Sequence, residues 1–285
     1  MAHAFGGAWT ERKLSIVRTY LRAYAQALKY QPFRRIYIDA FAGTGDRVSR
    51  RNTFPLLDLP EFEAVAKGSA RLALEVEPPF HRYVLIERVS TRASELSSLK
   101  TEFSNRNIEI KNDDANSAIA LLCRTSRWKD TRGVVFLDPY GLQVTWQTLN
   151  AIATTKALDV WILFPSGMGL NRLLTKSGEI RSEWQETLDR CLGTKEWREA
   201  FYANEEEPDL FEGARIRRVK DASPAKLEKF YLDRLRSLFP TVMTTSVRLT
   251  NSKNQTMYLL CFASANPSLK VKSLATKLAR AAAKV

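Results

Sequence analysis

Apolar positions recur along this chain with two periods. From Lys13 to Leu28 they fall at Leu14, Val17, Tyr20, Leu21, Tyr24 and Leu28, which is one face of a helix, and Thr10 is placed to cap it. Short β-branched and aromatic runs follow at Arg35–Ala40, Tyr83–Glu87, Ile108–Lys111, Gly133–Leu137 and Asp159–Phe164, and predict strands. Between them lie helical segments at Ala70–Val76, with Ser69 as its cap, and at Ser90–Ser104, Asn116–Cys123 and Thr145–Thr154. Strands this apolar, alternating with helices, predict a parallel sheet covered on both faces.

After Pro165 the pattern changes. Residues 166–240 read as mostly helical, rich in Trp, Arg and Glu. Within them Trp184, Trp197, Phe201 and Tyr202 either form the core of a small helical cap or offer faces on which bases stack. The run Glu205-Glu206-Glu207-Pro208 reads as an exposed loop. Val242–Thr250 and Met257–Ala265, joined by Asn251–Gln255, predict a hairpin, and Asn266-Pro267 opens a last helix. Residues 43–67, with Pro55 and Pro60, read as a long loop. The expectation is therefore an α/β chain with a Rossmann-like, mostly parallel seven-stranded sheet, a C-terminal antiparallel hairpin and a helical insertion. Residues 1–165 and 241–285 would make one domain, and 166–240 a cap or target-recognition subdomain.

The composition, 45% apolar and 26% charged, is that of an ordinary globular protein. No apolar run approaches the roughly 20 residues of a membrane helix. The first residues lack the apolar core of a signal peptide, so a cytoplasmic protein without a membrane span is expected. Cys123, Cys191 and Cys261 are far apart and there are two histidines, so no metal site is expected. Charge does change the picture. The net +13 is concentrated at the ends, with +7 in residues 1–55, −1 in 56–164, 0 in 165–240 and +7 in 241–285. Excess of this kind favours a polyanion, most often nucleic acid, provided that the two ends meet in space.

Candidate chemistry sits at the predicted strand ends. In an open α/β sheet, ligands bind beyond the carboxyl ends of the strands, at the switch point. The first strand runs into Asp39-Ala40-Phe41-Ala42-Gly43-Thr44-Gly45. Gly43 and Gly45 let the backbone approach a ligand, and Asp39 can accept from a ligand ammonium group or orient the loop. Glu87 ends the second strand, where an acid can hold ribose hydroxyls or pair with Arg88. Asp114 follows the third strand and can accept from an adenine amino group or cap a helix. The fourth strand delivers Asp138-Pro139-Tyr140-Gly141. Proline fixes the backbone there, and Tyr140 offers a face for a planar base.

Taken in order, YIDAFAGTG, GSARLAL, VLIER, NDDAN, FLDPYG and WILFP resemble the three-Cys-motif partner protein family, over about residues 10–170. More loosely they resemble the bacterial ribosomal RNA adenine methyltransferases. That resemblance implies S-adenosylmethionine as cofactor and methyl transfer to a nucleic-acid base amino group. It implies a cofactor set of Lys13, Asp39, Phe41, Gly43, Gly45, Ser69, Glu87 and Asp114, and a catalytic set of Asp138, Pro139 and Tyr140. The loop 46–67 would match an inserted loop that closes over the substrate. This chain has one proline before the aromatic residue where amino methyltransferases usually have two, and Phe41 where the ribosomal enzymes have histidine. The family name also implies a partner protein. Two further readings stay open: a non-catalytic binding module for nucleic acid or a protein on the same fold, and a methyltransferase of small molecules or proteins.

Overall fold

The computed structural model describes residues 8–44, 68–209 and 213–285. Helix α1 (Ala8–Ala27) buries Ile16, Val17, Tyr20, Leu21 and Tyr24, the stripe that its sequence spacing requires. It starts at Ala8, so Thr10 lies buried inside its first turns and does not cap it. Five parallel strands follow, β1 (Arg34–Asp39), β2 (Arg82–Ile86), β3 (Ile108–Lys111), β4 (Thr131–Leu137) and β5 (Leu158–Phe164). Their crossovers are α2 (Ser69–Leu74), α3 (Ser90–Glu102), α4 (Ala115–Thr125) and α5 (Trp146–Thr154). The cap of α2 is Gly68, and Ser69 is the first helical residue.

A π-helical turn, Ser166–Leu170, leaves β5. After it come α6 (Asn171–Leu173), α7 (Ser182–Leu192), α8 (Trp197–Ala200), strands β6 (Tyr202–Asp209) and β7 (Gly213–Lys220), and α9 (Pro224–Arg236). β6 and β7 form an antiparallel ribbon, with Glu205 opposite Arg217, so the predicted loop at Glu205–Pro208 is a strand. Trp197, Phe201 and Tyr202 are buried and so serve as packing residues, while Trp184 is half-buried against the same core. The chain closes with β8 (Thr241–Val242), β9 (Val247–Thr250), β10 (Thr256–Ser264) and α10 (Leu269–Ala282).

The order across the main sheet is β3-β2-β1-β4-β5-β10-β8. β10 runs antiparallel to β5, and β9 shares the outer edge of β10 with β8. The sheet therefore has eight strands at seven positions. The single strand expected over Val242–Thr250 is split because Ser246 is pulled out of line: its amide and hydroxyl both donate to Glu228 of α9, at 2.9 and 2.7 Å. This is the Rossmann-like methyltransferase fold, α/β, with a C-terminal antiparallel hairpin. Among the described residues no helix is long and apolar enough to cross a membrane.

Two apolar layers cover the sheet. One holds α4, α5 and the 166–240 region, and the other α1, α2, α3 and α10. The strand order reverses between β1 and β4, so the switch point lies at the carboxyl ends of these two strands. Asp39 ends the first, and Asp138 directly follows the second.

Candidate active site at the carboxyl edge of the sheet

Asp39 is fully buried. Strand residues two apart share a face, so Tyr37 points the same way, and its hydroxyl donates to Asp39 Oδ2 at 3.0 Å. The Ser69 hydroxyl and the Phe41 amide lie beside the carboxylate and favour its charged form, yet Oδ1 meets no donor at hydrogen-bond geometry. Burial prevails, with help from the nearby charge of Asp138, and the Asp39 carboxyl is pushed up to about 6. A buried carboxylate with one unpaired oxygen has capacity left for a cationic group, although Asp39 itself does not line the cavity described next.

The chain after Asp39 stays close to the sheet, with the Ala40 amide donating to Phe136 and the Ala42 amide to Ile86. Gly43 then turns at φ +61°, where a side chain would be strained although a Cβ would meet nothing within 4 Å. The glycine is thus required by the backbone turn, and the space above it is open to the described residues. Gly45 and the loop 46–67 lie outside the described residues.

Beside this turn is a cavity of about 490 Å³. Of the sequence-predicted residues, Phe41, Glu87, Asp114 and Tyr140 line it. Glu87 is buried and uses Oε1 to accept from the Val89 amide at 2.8 Å, which leaves Oε2 without a donor among the described residues. Asp114 caps α4: Oδ1 accepts from the amides of Asn116 and Ser117 at 3.0 and 3.1 Å. Both sequence alternatives are therefore compatible there, since capping occupies one oxygen. Tyr140 is 48% exposed, with the Arg92 guanidinium 5.9 Å from its ring centre. Burial of its hydroxyl raises the Tyr140 pKa, against the opposing pull of Arg92.

Lys13 and Asp138 form a second cluster at the same edge and do not line that cavity. Lys13 is 5% exposed, and its Nζ lies 2.5 Å from Asp138 Oδ2, 5.4 Å from the Trp9 ring and 6.0 Å from that of Phe136. The resemblance implied a lysine at the cofactor; its observed partner is the candidate catalytic aspartate. Pro139 joins this cluster to Tyr140. Ser69, expected at the cofactor, lies beside Asp39.

Four features of the site were not read from the sequence. The first is the Lys13–Asp138 pair itself. The second is Arg92 over Tyr140. The third is Arg190 of α7, which lines the cavity from the 166–240 region. The fourth is a pair of asparagines around the Asp113-Asp114 step. Asn112 Nδ2 donates to the carbonyls of Glu87 and Arg88, both at 2.9 Å. Asn116 Oδ1 accepts from the Thr145 amide at 3.0 Å and the Thr148 hydroxyl at 2.7 Å, tying α4 to the start of α5. The motif Asn112-Asp113-Asp114-Ala115-Asn116 did carry the signal, since two amides flank the acids.

No protein-family model and no curated protein matches the chain. Among solved structures it is similar to LPL1258 from Legionella pneumophila, at 16% identity, over 83% of this chain and 94% of that one, TM-score 0.39. It is also similar to a candidate methylase, HI0767, from Haemophilus influenzae (12%, 73% and 99%, TM-score 0.33). A dimethyladenosine transferase from Plasmodium falciparum matches at 11% identity, over 72% of this chain and 62% of that one, TM-score 0.31. Likenesses at this level follow the course of the chain and carry no weight about activity.

Proposed function

We propose that this chain is an S-adenosylmethionine-dependent methyltransferase acting on an amino group of a nucleic-acid base. The observation that carries the reading is the convergence at one sheet edge of acceptors unmatched among the described residues: Asp39 Oδ1, Glu87 Oε2 and the second oxygen of Asp114. A ligand with a cationic head, a ribose and an adenine supplies donors in that order. A cavity of about 490 Å³ beside them is of the size that takes a nucleoside. The resemblance of the motifs to three-Cys-motif partner proteins supports the same cofactor.

In this reading Asp39 holds the amino group of the cofactor's methionine part, and the Phe41–Gly43 turn passes beneath it. Glu87 accepts from the ribose hydroxyls and Asp114 from the adenine amino group. The bound cofactor supplies an activated methyl group, so the protein's task is mainly alignment. Asp138 accepts a hydrogen from the target amino group, which favours the pyramidal nitrogen needed for attack, and the Pro139 carbonyl accepts the other. Lys13 fixes Asp138 in direction through their ion pair, so that its remaining lone pairs face the target. A target base must be single-stranded or turned out of its stack to reach this edge. Tyr140 lies between the nucleoside cavity and the Asp138 cluster, and its half-exposed ring is placed where a base would stack.

Transfer of tritiated methyl from S-adenosylmethionine to RNA and DNA, in the wild type and in Asp138→Ala, tests the reading. Transfer by the wild type and its loss in the variant, with cofactor binding kept, is expected. Binding of nucleic acid with no transfer in the wild type would instead favour the non-catalytic module.

A further inference from the structure

The two basic ends of the chain meet. Helix α1 packs along α10, and Tyr20 and Tyr24 of α1, with Leu28 just past its end, line a small pocket together with Val271, Leu274 and Leu278 of α10. The C-terminal half of α1 thus faces the N-terminal half of α10, which makes the pair antiparallel. Ala275, Ala279 and Ala282 are the inward residues of α10, and small side chains there let it lie close.

The outward side of this pair is basic. Lys270, Lys277, Arg280 and Lys284 are exposed and follow one another at spacings of seven, three and four, a single stripe about 21 Å long at 1.5 Å per residue. On α1, Arg12, Arg18 and Arg22 are exposed as well. Glu11 is the one acid in the two helices. None of these seven cations has a carboxylate partner among the described residues. Elsewhere on the surface cations are interleaved with acids, and several are paired: Arg71 with Glu102, Arg106 with Glu77, Arg198 with Asp189 and Arg248 with Glu228. A row of like charges without counter-charge among the described residues repels itself and is relieved by a polyanion.

The row also has a direction. The first turns of α1 carry Trp9 and Lys13, at the carboxyl edge of the sheet beside Asp138. The far end of α1 lies at the other edge, where the Leu28 carbonyl accepts from Arg35 at the start of β1. Being antiparallel, α10 begins at that far edge, next to Ser264 and Asp159, and runs back toward the catalytic one.

From this we infer that the α1–α10 ridge is the track for the sugar-phosphate backbone of a single-stranded nucleic acid, and leads the strand to the Asp138 edge. This deepens the methyltransferase reading by naming the surface that would hold its substrate. An anionic membrane is the other polyanion of this kind, but a helix lying on lipid needs a broad free apolar face. The inner face of α10 is occupied by α1 and the core, and the large apolar residues it leaves exposed are few, Leu269 and the partly covered Leu274.

The test is binding of a fluorescent single-stranded RNA, from 50 to 200 mM salt, to the wild type and to Lys277→Glu/Arg280→Glu/Lys284→Glu. A control variant, Arg124→Glu/Arg127→Glu/Lys129→Glu, carries the same change in net charge on another surface. Each lost phosphate contact lowers the slope of log affinity against log salt by about 0.7, so three contacts give about 2. The wild-type advantage over the ridge variant should then shrink about 20-fold across that fourfold change in salt. The control should keep the wild-type slope. Equal slopes in all three proteins, or equal losses in the two variants, would overturn the inference. So would tight binding to phosphatidylserine vesicles without binding to RNA. Methyl transfer is read in parallel: no transfer by a wild type whose RNA binding depends on the ridge would sink the methyltransferase reading and leave the ridge standing.

Discussion

Replacing Asp39 by asparagine should stabilise the fold at neutral pH and weaken the site it serves. Asp39 is fully buried, and its carboxyl is pushed from the ordinary 3.8 to about 6, chiefly by loss of water. A group raised in the folded state contributes its full stability below the unfolded value and loses it as pH rises through the folded one. Here the window runs from about 4 to about 6. At 1.36 kcal/mol per pH unit, ionised Asp39 costs the fold about 3 kcal/mol above that window. Asparagine keeps the shape and still accepts from Tyr37, while its amide can donate to the Ser69 hydroxyl. The variant should gain on the wild type by up to about 3 kcal/mol between pH 4 and pH 7.5. Asp159 is likewise pushed up to about 6 by burial, but it is present in both proteins and cancels in the difference. Urea denaturation of both proteins at several pH values measures this. A difference that stays constant from pH 4 to 8 would refute the reasoning, since Asp39 would then not be ionising within the fold.

Two other predictions concern the ligand and the ion pair. If Asp39 holds a cationic group, affinity for S-adenosylmethionine should fall about tenfold per pH unit below 6, because proton and ligand compete for the same carboxylate; calorimetry at pH 5 and 7 with equal affinities would contradict it. Lys13→Met should cost about 1–2 kcal/mol of stability, less than the 3–5 typical of a broken buried pair, because Asp138 is partly exposed and can take up water. The same variant should lower methyl transfer while leaving cofactor affinity intact, and a loss of cofactor affinity in titration would return Lys13 to the cofactor.

The parallel half of the fold was legible because its strands are short, apolar and bounded by turns, so each declares itself locally. Their observed ends differ from the predicted ones by a residue or two, the ordinary looseness of element boundaries. The ribbon β6–β7 was not legible. Glutamates and a proline are poor strand formers, and what makes Glu205–Glu207 a strand is pairing with Arg215–Arg217, ten residues on. The break between β8 and β9 was hidden for a similar reason, since it depends on Glu228 reaching Ser246 from another element. At the site, acids at strand ends were readable because the position beyond a parallel strand has a fixed meaning. The Lys13–Asp138 contact joins residues 125 apart, and no local pattern encodes it. The same holds for the meeting of α1 and α10, which turns two separate charge excesses into one surface.

The most direct measurement is calorimetric titration of the chain with S-adenosylmethionine, beside Glu87→Ala. Glu87 is at the cavity and outside the Asp138 cluster, so its truncation removes the acceptor proposed for the ribose, along with the acceptor of the Val89 amide at the start of α3. Micromolar binding in the wild type that is lost in the variant is the expected result. Absence of binding in the wild type, to S-adenosylmethionine and S-adenosylhomocysteine alike, would contradict the central claim and reduce the Asp39–Gly43 loop to a turn.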